Sequence, residues 1–209
     1  MRALSLGGIL GPSLFAGVVV VAAALRPDYS HVHQFISELG ATGSVHAALM
    51  NYAGFVPSGL LLVGFGVSLA TALPRGRLTT VGSALTVVFG AGLVLSGLFS
   101  CDPGCPQVGG SLENTIHDRM APVIFLSMIV GATLLGMAFR RSPATRALGL
   151  YSFATSAVAL LLLMALVGSL ESRDLTGLWQ RLMLAVLFAW CAVVGVTLYR
   201  GAVALDTSR

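Results

Sequence analysis

Long apolar runs alternate with short polar segments along the whole chain. Six runs, at roughly 4–25, 48–73, 78–100, 118–139, 147–169 and 178–199, have the length needed to cross ~30 Å of hydrocarbon as helices of ~20 residues. The pattern predicts an all-α integral membrane protein: a six-transmembrane-helix bundle forming one domain over 1–209. The first run follows Arg2 and ends in Ala22-Ala23-Ala24, as a secretory signal would. It exceeds the ~7–15-residue core of such a signal, so it is expected as a retained helix. Small residues four apart, Gly7 with Gly11 and Gly92 with Ser96, predict close helix packing.

The polar residues are as unevenly spread as the apolar ones. Seven acidic residues, all four histidines and two of the three cysteines fall within 26–47, 101–119 and 170–181. These segments alternate with the runs, so a membrane would collect them on one side. The opposite connections are minimal turns, Pro74-Arg75-Gly76-Arg77 and Arg141-Ser142-Pro143. The amino terminus, those turns and the tail carry Arg2, Arg75, Arg77, Arg140, Arg141, Arg146, Arg200 and Arg209. Arg26, Arg119, Arg173 and Arg181 lie on the other side, and eight against four predicts both termini in the cytoplasm of a cell (plasma or inner) membrane.

Composition agrees with this pattern. The 209 residues are 56% hydrophobic and 10% charged, against about 25% charged in soluble domains. Mean hydropathy is +0.90. All twelve cations are arginines, and most sit in loops where they set topology, so the net charge of +4 predicts no nucleic-acid partner. The expected partner is membrane lipid.

Residues 30–40 read S-H-V-H-Q-F-I-S-E-L-G. Val32, Phe35, Ile36 and Leu39 form one apolar stripe, while His33 pairs with Ser37 and Gln34 with Glu38 at helical spacing. Ser30 can start such a helix and Gly40 can end it. A short amphipathic helix is therefore expected between the first two spans, either as part of a site or as a lid with a wet polar face. His31 and His33 diverge by ~200° on a helix, which makes a poor metal pair.

Cys101 and Cys105 flank the turn sequence Asp102-Pro103-Gly104. A disulfide-closed loop is the simplest reading, with a redox centre or a metal site left open. Cys191, mid-span, is expected to pack. Ser111 is placed to cap a helix, with Asn114 three positions on. Within that helix Glu113 and His117 are i,i+4 neighbours, as are Asn114 and Asp118. A carboxylate beside an imidazole suits a general base or a metal ligand. Trp179 fits an interfacial aromatic belt. Asn51 and Arg181 lie near the same end of their spans, at a depth where polar groups point to function. Arg181 can either snorkel to the interface or turn inward to a carboxylate or an anionic headgroup.

These residues resemble those of the DUF998 family, six-span membrane proteins of unknown function. The matching pieces are P-D-Y-S at 27–30, I-S-E-L-G-A at 36–41, Asn51 with Gly54-Phe55, and G-L-F-S-C-D-P at 97–103. His117, G-L-W-Q-R at 177–181 and Trp190 complete the set. The chain departs from the family pattern at Ser100-Cys101, where a proline is expected, and at Gln180, where an acid often precedes Arg181. The resemblance implies the topology and a shared polar set on one face, but no reaction.

The candidate catalytic residues are Glu38, Asp102, His117 and Asp118, and the candidate substrate-binding residues are Asn51, Arg181, His33 and Ser37. His117 with an acid would activate water, directly or through a divalent metal, on a lipid or isoprenoid substrate held by Arg181. Hydrolysis is the simplest such reaction. Isomerisation or cyclisation would instead need a carboxylic acid kept protonated by apolar surroundings. The alternative is a non-enzymatic lipid or small-molecule binder, or an accessory subunit of a membrane complex. A transporter is disfavoured because no acid lies mid-span and no half-helix repeat is evident. A bis-histidine haem is disfavoured because no histidine lies within the spans.

Overall fold

Six helices account for the apolar runs in the computed structural model, which describes residues 2–201. They are α1 (Arg2–Ala24), α2 (Leu49–Ala72), α3 (Arg77–Leu98), α4 (Leu112–Phe139), α5 (Pro143–Gly168) and α6 (Thr176–Tyr199), each long and apolar enough to cross a membrane. The chain is a multi-pass membrane protein. Arg209, counted in the orientation argument, lies outside the described residues.

Each helix packs on the next, and α6 returns to α1, so the six form a closed ring. The helices are apolar on every side, so hydrophobicity alone cannot select the inward face, and small residues and shape do so instead. α1 bends at Leu6, between Arg2–Ser5 and Gly7–Ala24. At this bend it presses against α2, where a Cβ on Gly7 would stand 2.1 Å from the Leu61 carbonyl oxygen. Gly11 faces the Ser58 carbonyl and Gly92 faces Ile124, as their spacing predicts.

Edge-on aromatic contacts join Phe15 to Phe55 and Phe188, Phe89 to Phe188, and Phe65 to Trp190 through the centre. Trp190 is fully buried, and its indole N–H donates to Ser152 Oγ at 2.8 Å. Cys191 is buried and unpaired, as expected of a packing residue. α5 is the loosest member of the ring. Only 28% of its apolar window is buried, against 50–56% for the other five.

The two ends of the ring differ. One carries the short turns after α2 and α4, and the other carries three longer connections, before α2, before α4 and before α6. A short helix does form in the first of these, but as a five-residue 3-10 helix, Ile36–Gly40, tucked into the mouth of the ring. Side chains replace the helical ladder here. Gln34 Oε1 accepts from the Ser30 N–H, Glu38 Oε1 from the Phe35 N–H, and Gln180 Oε1 from the Ile36 N–H. The expected apolar stripe is still used: Phe35, Ile36 and Leu39 are buried, although Val32 is exposed.

Candidate functional site

A cavity of ≈ 280 Å³ opens inside the ring at the loop-rich end. Its floor is apolar, made by Phe15 of α1, Phe55 of α2, Leu93 of α3, Ile124 and Phe125 of α4, and Leu184 of α6. Its rim is polar, made by Ser37, the Cys101–Cys105 pair, Gln107, His117, Asp118 and Gln180. Pro122 of α4 and Val167 of α5 also line it, and both are exposed on the outside of the ring. The cavity therefore communicates sideways, between α4 and the loosely packed α5.

Helix periodicity carries His117 inward: His117, Ala121, Ile124 and Met128 fall on one face of α4, and the last two are buried. The ring sits at the end of α3, close to the Ser96 and Phe99 carbonyls, and Nδ1 bonds the Phe99 oxygen at 2.8 Å. A carbonyl only accepts, so Nδ1 is the donor and neutral His117 holds its lone pair on Nε2. Glu113 is not its partner: that side chain is exposed, and the expected Glu113–His117 bond is not made. Ser111 caps α4 as predicted, accepting from the Asn114 N–H at 3.1 Å.

The other candidate acids are occupied elsewhere. Asp102 accepts from the Ser111 N–H at 2.6 Å and Ser111 Oγ at 2.9 Å, and its own N–H donates to Asn114 Oδ1. Gly110 closes this knot at φ +90°, and a Cβ there would meet Asp102 Oδ2 at 2.5 Å. Glu38 is buried, accepting from Gln34 Nε2 at 2.8 Å and the Phe35 N–H at 3.0 Å. Neither acid lines the cavity.

Asn51 and Arg181 hold the lid in place. Asn51 is turned towards it by the wide π-helical turns Leu49–Phe55, in which the Val56 N–H reaches back to the Asn51 carbonyl. Its Nδ2 donates to the Gly40 carbonyl and to Ser100 Oγ, both at 2.9 Å. Arg181 turns towards the first connection, as one of its two expected orientations, but meets neutral acceptors rather than a carboxylate. It donates to the carbonyls of Gln34 and Gly177 at 2.9 Å, to His31 Nδ1 at 3.2 Å, and to the Tyr29 hydroxyl. Burial raises the Tyr29 pKa, with Arg181 opposing, so the phenol stays protonated and donates to the Phe35 carbonyl. His33 lies on the exposed surface, 3.4 Å from Asp174.

The chain matches the family model described as protein of unknown function (DUF998) over residues 9–197. It belongs to the DUF998 family. No curated protein and no solved structure matches it.

In this DUF998 protein the motif residues are thus divided between two tasks. His117, Asp118, Ser37, Cys101 and Cys105 come together on the cavity rim, with the two cysteines joined as a disulfide. Glu38, Asp102, Asn51, Arg181 and His33 lie outside it. No three histidine, cysteine, aspartate or glutamate side chains converge for a metal among the described residues. With Glu38 and Asp102 committed to backbone donors, the rim does not fit a divalent-metal centre.

Gln107 and Arg119 line the cavity without having been candidates, and two further residues that escaped the sequence reading have defined roles. Gln180 lines the cavity, and its place four residues before inward-facing Leu184 was the available signal. Arg173 stacks over the Phe35 ring at 4.6 Å and donates to the carbonyls of Gly104 and Cys105. Nothing in its local sequence marks that role.

Proposed function

We propose that this DUF998 protein binds a single-chain membrane amphiphile, with the chain over the apolar floor and the polar head at His117 and Asp118. One observation carries the reading: an apolar floor and a polar rim share one cavity whose exposed Pro122–Val167 lip faces the lipid side of the ring. At ~30 Å³ per water-sized group, its ≈ 280 Å³ accommodates about nine such groups. That is room for a polar head and a short length of one chain. An isoprenoid or other single-chain lipid fits this description. The arginine distribution supports a cell-membrane location with cytoplasmic termini and the cavity mouth outside.

A catalytic version of the same site is favoured by His117 Nε2, which has no protein partner among the described residues and lies next to Asp118 on the rim. Acid–base or hydrolase-like chemistry would then fall to His117 with Asp118 as its neighbour.

Native mass spectrometry of protein extracted in mild detergent tests the binding reading. A single-chain amphiphile should accompany the wild type and be absent from Leu93→Trp, which fills the floor. Recovery of bulk phospholipids alone, in membrane proportion and equally from both proteins, would overturn it. Turnover of the recovered molecule by the wild type but not by His117→Ala would favour the catalytic version.

A further inference from the structure

Resting on the amphiphile reading, we infer that the head this cavity selects is an uncharged alcohol, received by the His117 Nε2 lone pair and the two acceptors of Asp118. The argument is an inventory of what the rim offers. His117 Nδ1 donates to the Phe99 carbonyl, which in the neutral imidazole leaves the lone pair on Nε2. Nε2 is then an acceptor. A carboxylate only accepts, and the Asp118 side chain lines the cavity with no hydrogen-bond partner among the described residues.

A third acceptor comes from the helix itself. Pro122 has no N–H, so the Asp118 main-chain carbonyl loses its i+4 donor at the same place on the cavity wall. Three acceptors therefore lie within one stretch of α4. Facing them, Gln180 has its Oε1 occupied by the Ile36 N–H, which leaves its amide N–H₂ as the donor on the α6 side.

This arrangement matches a hydroxyl, which donates once and accepts as well. A phosphate or carboxylate head would find donors in Arg119 and the Gln180 amide but would set its lone pairs against the three acceptors of α4. A cation would gain Asp118 but meet the Arg119 guanidinium, which lines the same cavity. An ether of the same size would occupy the cavity without giving His117 or Asp118 a proton.

The test uses the full-length protein in lipid nanodiscs and a diazirine-bearing long-chain alcohol, with crosslinks mapped by peptide mass spectrometry. Labelling should fall on the cavity-lining segments of α4 and α5. Dodecanol should displace the probe at about tenfold lower concentration than methyl dodecyl ether, dodecyl phosphate or dodecylamine. His117→Phe should narrow the gap between alcohol and ether while dodecane displaces as before. Equal displacement by ether, phosphate or amine in the wild type overturns the alcohol assignment and leaves the amphiphile reading standing. Absence of cavity labelling by the alcohol probe and by its headless alkane counterpart overturns both. The wild-type comparison of alcohol with ether decides the matter even where His117→Phe does not fold.

Discussion

Arg173 places its guanidinium 3.8 Å from the Glu38 carboxylate, and its other terminal nitrogen donates to the carbonyls of Gly104 and Cys105, both at 2.9 Å. One side chain thus ties together all three long connections over the cavity mouth. Glu38 is the buried partner, so removing the cation leaves a carboxylate out of water with only neutral donors. Arg173→Met, which keeps the length and loses the charge, should cost about 1.5–3 kcal/mol of stability. Arg75→Met, on the opposite end of the ring, should cost nothing measurable. Thermal unfolding of the two variants in detergent checks this, and equal midpoints would remove Arg173 from its role as a clamp.

Gly40 and Asn51 make a contact that only glycine permits. A Cβ at position 40 would lie 2.1 Å from Asn51 Oδ1, while Asn51 Nδ2 holds the Gly40 carbonyl. Gly40→Ala should destabilise the protein by about 1–3 kcal/mol, the usual cost of overpacking. Asn51→Ala should cost a similar amount, because it leaves the buried Gly40 carbonyl unpaired. The double variant should be less destabilised than the two single costs added, since the clash no longer exists. Strict additivity in a double-mutant cycle would show that the two residues do not meet.

What the sequence revealed and what it hid follow from the range of the forces involved. The six spans were legible because burial in lipid demands apolar length, which is a local property of the chain. The Ser111 cap was legible for the same reason, being set within one or two turns. The uses of Glu38 and Asp102 were not. Each carboxylate was taken by backbone N–H groups whose positions depend on a loop conformation, so residue type suggested chemistry where geometry supplied structure. Arg181 and Arg173 act across connections far apart in the chain, and no spacing rule reaches that far. The cavity itself arises from the ring closing α6 on α1, which hydropathy does not specify.

The buried indole of Trp190 gives a second coupled pair. Its N–H donates to Ser152 Oγ across the α5–α6 interface at 2.8 Å. Interhelical hydrogen bonds in membranes average about 0.6 kcal/mol in double-mutant cycles. The cycle built from Trp190→Phe and Ser152→Ala should return a coupling of about that size. A coupling indistinguishable from zero would leave Trp190 a packing residue alone.

Sidedness can be read by single-cysteine labelling. Val108, 92% exposed, lies in the connection before α4, and Arg75 lies in the turn after α2. Cys191 is buried, and Cys101 and Cys105 are bonded to each other, so the native background is low. A membrane-impermeant maleimide applied to intact cells should label Val108→Cys at once and Arg75→Cys only after permeabilisation. The reverse pattern would place the cavity mouth in the cytoplasm.

The Arg181 anchor brings a pH dependence with a defined sign. Arg181 Nε donates to His31 Nδ1 at 3.2 Å, a bond that requires an unprotonated acceptor. The His31 pKa is lowered from 6.5, first by burial and then by the Arg181 charge. The folded state therefore binds fewer protons here than the unfolded chain. The stability this group contributes is fully present above about pH 6.5 and is lost as pH falls through the lowered folded value. His31→Gln keeps an acceptor without a titrating proton. Thermal midpoints between pH 7.5 and 5 should fall more steeply for the wild type than for this variant. Parallel profiles would mean that His31 stays out of the Arg181 bond in solution.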